Sequence, residues 1–218
     1  MQPKVPGSMA DESKAPKSPE SSQPGVSGSS PAPSAAGAPP SSPAKAAAPA
    51  PVQVPLDNDL SRRYREHFGA GILDAFEDRK QSILIVGVAQ LLEIARYSRD
   101  EEKFDLLEDY TAVDWPRREK RFDLVAQLYS FTQNTRLRLK IPLGVEERPS
   151  TLVPVWPAAN WLEREIFDLF GITFHGHPNL KRILLPDEWQ GHPLRKDYDI
   201  LQQDTAWVRE NLGIESGQ

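Results

Sequence analysis

Two neighbouring segments of the chain alternate apolar and polar side chains with a period of two residues. In residues 121–131 the apolar positions are mainly even-numbered, and in residues 135–143 they are odd-numbered. Such alternation gives a strand one buried face and one exposed face. Residues 132–134, between the two segments, suit a tight loop. The pattern therefore predicts a β-hairpin.

Other apolar patterns predict two further strands and two helices. The β-branched run 82–88 is typical of a buried strand, and residues 107–115, ended by Pro116, predict another. Residues 59–68 predict a polar first helix, and residues 89–97 have helical spacing. A strand that leads directly into a helix favours an α/β or α+β arrangement. We therefore predict an α+β fold, with a mixed, mostly antiparallel sheet of about four strands and helices on one face.

Residues 160–170 predict a well-defined helix. Asn160 suits an N-cap with the acidic Glu163 three positions later, and Gly171 is the natural left-handed residue to end the helix. Its apolar stripe consists of Leu162, Ile166, Leu169 and Phe170, and its other face carries Glu163, Arg164, Glu165 and Asp168. The helix is therefore expected to bury one face and to present charge on the other.

The acidic side chains of this helix admit two interpretations. Two carboxylates on one face, such as Glu165 and Asp168, are typical of a general acid–base pair or of metal ligands. However, no Glu-x-x-His pair accompanies them. Arg164 is placed to form an ion pair with Asp168, four residues later. We therefore favour a structural or interface ion-pair network over catalysis.

Composition separates an N-terminal tail from the rest of the chain. Residues 1–55 hold 13 of the 21 prolines, and Leu56 is the first Leu, Ile or aromatic residue. Such a segment buries too little apolar surface to offset its ordering entropy, so we expect it to be disordered. We divide the chain into this tail, a core domain over residues 56–171 and an extended C-terminal arm over residues 172–218.

Cysteine content and charge exclude several classes of function. The chain has no cysteine, which rules out disulfides, thiol catalysis and Cys-ligated iron–sulfur or zinc sites. Its formal net charge is −5, and its basic run, residues 117–121, lies between two predicted strands. We expect a solvated turn there rather than a nucleic-acid surface. No run of roughly 20 apolar residues predicts a membrane span. The tail has no Arg and resembles neither a signal peptide nor a transit peptide, so we expect a cytosolic location.

The segment 172–200 has large apolar residues but no helical or strand period. Two parts of it, residues 176–182 and 191–196, share the order Gly, His, Pro, then Leu and two cations. Gly permits close backbone approach, and Pro holds the preceding His extended. We interpret both as extended hooks that attach to another surface. The alternative is an arm folded back on its own sheet.

The same segment also admits a metal-site hypothesis. His175, His177 and His192, with a carboxylate such as Asp187, would suit zinc. A stand-alone metal-dependent hydrolase could be built on such a site. No nucleophile and base accompany these histidines, so we assign no catalytic, cofactor-binding or metal-binding residue to the chain.

The run from Glu163 to Arg182 (EREIFDLFGITFHGHPNLKR) resembles the signature of a known family. That family is the C-type subunit, also called the 30 kDa-type subunit, of the proton-pumping NADH:quinone oxidoreductase, respiratory complex I. Residues 186–198 (PDEWQGHPLRKDY) are similar to the tail of the same family. The likeness is close over residues 153–198 and weaker, but in order, over residues 82–152.

The resemblance implies a non-redox structural subunit in the hydrophilic arm of the complex. The complex is expected to use NADH, FMN, iron–sulfur clusters and quinone, none of them bound by this chain. The implied partners are the large quinone-site subunit, over which the tail wraps, and other hydrophilic-arm subunits, with no nucleic acid. The implied location is peripheral, on the cytoplasmic face of the bacterial inner membrane, with membrane contact only through the complex. The isolated chain is expected to be inactive.

The resemblance also implies roles for individual residues. Glu163, Arg164, Glu165 and Asp168 would lock the helix and the tail together. The other motif residues would serve the structure and the partner interface: Gly171, His177, Pro178, Arg182, Gly191, His192, Pro193, Arg195, Lys196, Asp197 and Tyr198. An alternative is the equivalent subunit of a membrane-bound nickel–iron hydrogenase or of another quinone-reducing complex. The full tail over residues 191–198 favours the respiratory form.

Overall fold

The computed structural model describes residues 54–199 and 205–213. Its strands and helices are, in chain order, β1 (Val54–Pro55), α1 (Asp59–Phe68), β2 (Ile72–Asp78), β3 (Gln81–Val86), α2 (Leu91–Asp100), β4 (Leu106–Asp114), β5 (Phe122–Ser130), β6 (Thr135–Leu143), α3 (Ala159–Phe170) and α4 (Thr205–Leu212). The predicted disordered tail lies outside the described residues, except that Val54 and Pro55 form β1. Within the predicted extended arm, α4 is a helix.

The six strands form one sheet in the order β1-β2-β3-β6-β5-β4. All neighbouring strands are antiparallel except β3 and β6, which are parallel. The predicted hairpin is β5–β6, whose register continues to the pair Ser130 and Thr135 at the loop. The α+β fold and the mixed, mostly antiparallel sheet are therefore confirmed.

The sheet has two more strands than the approximately four expected. β1 is only two residues long, and β2 has the sequence ILDAFED. In β2 the acidic residues and a register shift between Ile72 and Asp74 interrupt the alternation of apolar and polar positions. Such an irregular strand gives no clear period-two signal, because its pairing with β3 rather than its own pattern defines it.

Inward-facing side chains of the sheet and of helices α1 to α3 pack into one core. Leu124 and Leu139 on the sheet are fully buried together with Tyr64 of α1, Ile94 of α2 and Ile166 of α3. In strands β5 and β6 the buried positions alternate with partly exposed ones, as the sequence pattern predicts. The three helices therefore cover one face of the sheet. We refer to the other face as the outer face.

Helix α3 begins differently from the prediction. Its first residue is Ala159, and its N-cap is Ala158, which makes no side-chain capping hydrogen bond. The predicted Asn160 N-cap is therefore wrong. The N–H groups of residues 159–161 are instead bound by the carbonyls of residues 156–158, because a turn leads directly into the helix. The predicted end is confirmed: Gly171 is left-handed, with φ of 73°.

Candidate interface on helix α3 and the C-terminal arm

The carboxylate of Asp168 holds the C-terminal arm against helix α3. Its side chain is fully buried. Oδ2 accepts hydrogen bonds from the N–H groups of Ile183 (3.0 Å), Leu184 (2.7 Å) and Leu185 (2.9 Å), and Oδ1 accepts one from Nη1 of Arg182 at 2.6 Å. Burial by itself would raise the pKa of Asp168, but these hydrogen bonds outweigh it and lower the pKa. Asp168 is therefore a charged anchor for the arm.

Arg182 connects the two Gly-His-Pro segments of the arm. Besides its ion pair with Asp168, its guanidinium donates from Nη2 to the carbonyl of Trp189 at 2.9 Å and to that of Gly191 at 3.0 Å. Its Nη1 also lies 3.2 Å from the carbonyl oxygen of Asp168. One planar guanidinium therefore fixes the start of the second segment relative to helix α3.

Arg164 binds the arm and not Asp168. Its Nε donates to the carbonyl of Lys181 at 3.0 Å, and its Nη2 donates to that of Arg182 at 2.9 Å. The expected Arg164–Asp168 ion pair is therefore wrong. The reason is that Asp168 is buried and is satisfied by several donors from the arm, whereas Arg164 lies toward the surface. Both residues nevertheless bind the arm.

The second Gly-His-Pro segment satisfies the last carbonyls of helix α3, which belong to residues 168–170. Nδ1 of His192 donates to the carbonyl of Asp168 at 2.8 Å. The N–H of Leu194 donates to the carbonyl of Leu169 at 3.0 Å, and Nε of Arg195 donates to that of Phe170 at 2.6 Å. A cation is favourable at this negative end of the helix dipole. Burial lowers the pKa of His192, so its imidazole is held in the neutral Nδ1–H form.

Gly171 is required by the closeness of this contact. Its φ of +73° disfavours any residue with a Cβ. A Cβ placed there would lie 2.5 Å from Nε2 of His192 and 2.9 Å from Nη2 of Arg195. Gly191 has a similar role, since its φ is +82° and a Cβ would lie 2.9 Å from the ring of Tyr198. Gly171 is therefore part of the helix–arm contact, and Gly191 is part of the packing within the arm.

A second buried carboxylate, Asp114 at the end of β4, holds residues 196–197 of the arm. Arg121 donates to both of its oxygens at 2.8 Å, and the N–H of Lys196 donates to Oδ2 at 2.8 Å. Arg121 also binds Asp197 at 2.7 and 2.9 Å. The hydrogen bonds from Arg121 lower the pKa of Asp114. The prediction that the basic run 117–121 is a solvated turn is therefore wrong for Arg121, because its side chain is only 15% exposed and is paired with Asp114.

Sequence reasoning missed Asp114. The signal was present in the strand alternation, because Asp114 lies in step with Tyr110 and Ala112, which are both buried. A carboxylate on the core side of a strand indicates a buried cationic partner. Arg121 follows seven residues later, but only the turn between β4 and β5 brings it back to Asp114.

Glu163 fixes helix α3 to the segment before it rather than to the arm. Its Oε2 accepts from Oγ1 of Thr151 and its Oε1 from the N–H of Leu152, both at 2.6 Å. The side chain is fully buried. Burial raises the pKa of Glu163 to about 7, against the opposing effect of these two hydrogen bonds. The carboxyl group is therefore a buried proton-binding group.

His177 lies next to Glu163 and links it to the first Gly-His-Pro segment. Its Nε2 is 4.0 Å from Oε2 of Glu163 and 3.2 Å from the carbonyl oxygen of Asn160. The N–H of Asn179 donates to its Nδ1 at 3.0 Å, so the proton of the neutral ring is on Nε2. Burial lowers the pKa of His177, and Arg164 acts in the same direction. The pair is therefore not a stable ion pair.

The remaining predicted residues lie at the margins of this arrangement. Glu165 and Pro178 are exposed, and Pro193 is partly buried. Lys196 and Asp197 are exposed too, although the backbone of the first binds Asp114 and the carboxylate of the second binds Arg121. Both hook-like segments attach to the chain's own core, which was the alternative interpretation of the arm. The predicted partner contacts of these residues stay predictions.

The three histidines of the metal-site hypothesis are not brought together. His177 and His192 bind backbone groups at different parts of helix α3, and His175 is exposed. Within residues 54–199 and 205–213 there is no cluster of three or more His, Asp or Glu side chains arranged to hold a metal ion. The ligand set that the sequence suggested is therefore not assembled in this fold.

Large apolar side chains remain exposed beside the helix–arm contact. Trp161 and Leu184 are each 62% exposed, and Leu194 is 47% exposed. Trp161 lies against the guanidinium of Arg164, 5.2 Å from its ring centre, and Leu184 follows directly on the Asp168 contact. An exposed apolar group on a rigid backbone is typical of a protein-binding surface rather than of a reaction centre.

A comparison with protein families decides which family this arrangement belongs to. The family described as "Respiratory-chain NADH dehydrogenase, 30 Kd subunit" matches residues 84–204, a little over half of the chain. The chain belongs to this family. The resemblance noted in its sequence is therefore confirmed.

Relatives of the family cover most of the same domain. The C-type subunit of NADH-quinone oxidoreductase from Roseiflexus sp. is 43% identical over 159 residues, which are 70% of this chain and 90% of the relative. Its counterpart from Geobacter sulfurreducens is 42% identical over 146 residues, covering 65% of this chain and 89% of the relative. The counterpart from Brucella ovis is 42% identical over 144 residues, which are 65% of this chain and 71% of the relative.

A solved structure shares the fold of this family member. It comes from the membrane-bound sulfane sulfur reductase, described as an archaeal respiratory membrane complex. The similarity has a TM-score of 0.58 at 25% identity and covers 72% of this chain and 91% of the other. Among the described residues, no helix has both the length and the apolar character needed to cross a bilayer.

Proposed function

We propose that this chain is a non-redox structural subunit of an NADH:quinone oxidoreductase and that it braces the large quinone-site subunit. Its family membership and its relatives, which are named as subunits of NADH-quinone oxidoreductase, support the enzyme complex. The absence of cysteine from the sequence supports the non-redox role, because Cys-ligated clusters must then belong to other subunits. NADH, FMN, the iron–sulfur clusters and quinone would be bound elsewhere in the complex.

The observation that carries this proposal is an arm held in place before any partner binds. Asp168 and Arg182 fix its backbone, so Leu184 is presented outward at little further cost in conformational entropy. Trp161 is a second exposed apolar side chain, and it packs against Arg164, which binds the arm. Preorganised apolar anchors of this kind are typical of stable protein–protein interfaces. The complex would hold the chain at the cytoplasmic face of a bacterial inner membrane, with no direct membrane contact.

Replacing Leu184 tests the brace. Leu184→Glu puts a charge on the proposed interface without removing a buried group. We expect it to reduce both the amount of this chain that co-purifies with a large respiratory assembly from gently solubilised membranes and the NADH-driven quinone reduction of that assembly. Leu73→Glu is the matched control, since Leu73 is 58% exposed on β2, away from the arm. Normal assembly and activity of Leu184→Glu would contradict the proposal.

The similarity to the sulfane sulfur reductase complex favours a second candidate. In that case the chain would be the equivalent brace in a membrane complex with another electron donor or acceptor, such as a sulfane sulfur reductase. The nickel–iron hydrogenase considered from the sequence belongs to the same alternative. The complex purified through this chain distinguishes the two. Quinone reduction driven by NADH supports the first, whereas hydrogen-driven or sulfane-sulfur-reducing activity without NADH oxidation supports the second.

A further inference from the structure

The outer face of the sheet carries a groove that the interface described above does not use. Its volume is about 350 Å³. Phe76 of β2, Ile85 of β3 and Pro142 of β6 form an apolar floor, and Trp115, which is 42% exposed, forms one wall. The size and the mixture of apolar and charged lining are typical of a site for a small ligand.

Lys140 places a cation in the middle of this floor. It is paired in the sheet with Ile85 of β3 on one side and with Val125 of β5 on the other. Within residues 54–199 and 205–213, no carboxylate forms an ion pair with its ammonium group. By contrast, Arg136, on the same strand and the same face, pairs with Glu108 at 3.1 Å. An unpaired ammonium group between apolar neighbours favours an anion that brings apolar surface with it.

The carboxylate that lines the groove is already engaged. Among the described lining residues this carboxylate is Asp123, whose Oδ2 accepts from Nε1 of Trp115 at 2.9 Å and from Nη1 of Arg118 at 3.1 Å. Arg118 also lies 4.3 Å from the centre of the Trp115 ring. The Trp115 wall is therefore held in one orientation, and Asp123 does not neutralise Lys140.

We propose that this groove binds an amphipathic anion. Its single carboxylate, sulfonate or phosphate group would pair with Lys140, and its apolar body would lie on Phe76, Ile85 and Pro142 against Trp115. The ligand is a free organic acid, because a volume of about 350 Å³ lies in the range of small-ligand sites. This site is separate from the helix–arm interface, so it stands whether or not the proposed brace is correct.

The experiment uses the full-length chain and 8-anilinonaphthalene-1-sulfonate, which joins an aromatic body to one sulfonate. Fluorescence titration is expected to show saturable binding that decanoate displaces. Lys140→Gln is expected to weaken the affinity about tenfold, because a charged hydrogen bond to the anion is lost. Lys140→Arg is expected to stay within about threefold of the wild type. Arg136→Gln, the control with the same change of charge, is expected to leave the affinity unchanged.

Thermal unfolding of each variant verifies that the fold is intact, and Lys140→Met, which also removes the charge, replaces Lys140→Gln if that variant does not fold. Binding that does not saturate, or that is the same in Lys140→Gln as in the wild type, overturns the proposal. The same titration on the complex purified through this chain tests whether the groove is free to bind a small acid there. A Lys140-dependent site that stays open there supports a free acid as the ligand, and a site that is blocked there by a neighbouring protein overturns the proposal.

Discussion

The carboxylate of Asp168 binds three consecutive backbone N–H groups in a segment that has neither helix nor strand. Consecutive N–H groups that converge on one anion form a concave site of the kind that binds phosphate in many proteins. Here the anion is a side chain of the same chain, and Arg182 balances its charge. A single side chain therefore accepts the hydrogen bonds of three N–H groups in the arm, which a neighbouring strand would otherwise accept.

Replacing Asp168 by Asn removes the charge but keeps the shape of the side chain. We expect Asp168→Asn to lower the free energy of unfolding by about 3 kcal/mol, because Arg182 is left without its buried partner. Urea denaturation measures the change. Glu165→Gln, on the same helix but exposed, is the control and is expected to change it by less than about 0.5 kcal/mol. Equal effects of the two substitutions would contradict the role given to Asp168.

Glu163 gives the protein a stability that depends on pH. Its pKa is about 7 in the folded chain, against 4.5 as its ordinary value. The folded state therefore takes up a proton between these values that the unfolded state does not, and stability rises as the pH falls from 7 to 4.5. His177 and His192 act in the opposite direction, since their pKa values are lowered and stability is lost as the pH falls below 6.5.

Glu163→Gln isolates the carboxyl contribution from that of the histidines. We expect the free energy of unfolding of the wild type, minus that of the variant, to increase by about 3 kcal/mol as the pH is lowered from 8 to 4.5. Urea denaturation at a series of pH values measures both proteins, and the contribution of His192 cancels in the difference. Because His177 lies 4.0 Å from Glu163, the same comparison in a His177→Gln background removes the contribution of that histidine. A difference that is constant over this range would show that Glu163 keeps its ordinary pKa.

Among the elements, helix α3 and the arm meet through the end of the helix. Donors on the arm bind the last carbonyls of the helix, which have no partner within the helix itself. The arm can come this close only because the residue at the junction, Gly171, has no Cβ. Helix α3 was readily predicted, because its apolar stripe and Gly171 are both local signals. Its beginning was not, since the N–H groups there are satisfied by a preceding turn and not by Asn160.

Gly171→Ala tests this junction. At Gly176 the φ is +77° but the nearest atom to a Cβ is at 3.6 Å, an ordinary contact, so Gly176→Ala is expected to cost only about 1 to 2 kcal/mol. Gly171→Ala is expected to cost more, because a Cβ there also displaces His192 and Arg195. It should also speed amide hydrogen exchange at Leu194, whose N–H binds the helix carbonyl. Equal costs and unchanged exchange would refute the close packing.

Across the molecule, the sheet has one face covered by helices and the arm, and an outer face with its own groove. The arm returns to the end of β4 through Asp114 and to helix α3 through Asp168. The residues that the resemblance singled out for a partner thus also hold the chain's own fold together. Substitutions among them would affect stability and assembly at once, so a surface residue such as Leu184 is the better test of the partner.

The N-terminal boundary gives a prediction for the chain as a whole. Residues 1–53 contain no Leu, Ile or aromatic residue, so we expect their deletion to change the midpoint of thermal unfolding by less than about 2 °C. Deletion of residues 1–58 is the comparison. It also removes the buried Leu56 and the Asn58 side chain that caps α1, and is expected to lower the midpoint by at least about 5 °C. A large effect of the shorter deletion would assign the tail a structural role.

Elements with local signals could be predicted from the amino-acid sequence. Period-two alternation indicated β5 and β6, apolar runs indicated β3 and β4, and the stripe ending at Gly171 indicated helix α3. The same local run, from Glu163 to Arg182, pointed to the family. These predictions succeeded because each depends on residues within one or two turns of a helix or along one strand.

The partners of the charged groups, in contrast, followed from the packing of distant segments. The sequence favoured Arg164 for Asp168 because the two are four residues apart, whereas the fold supplies Arg182 and the N–H groups beyond it. It likewise joins Asp114 to Lys196, 82 residues later. Burial explains the difference: a carboxylate removed from water needs several donors at once, and which donors reach it depends on tertiary packing and not on local spacing.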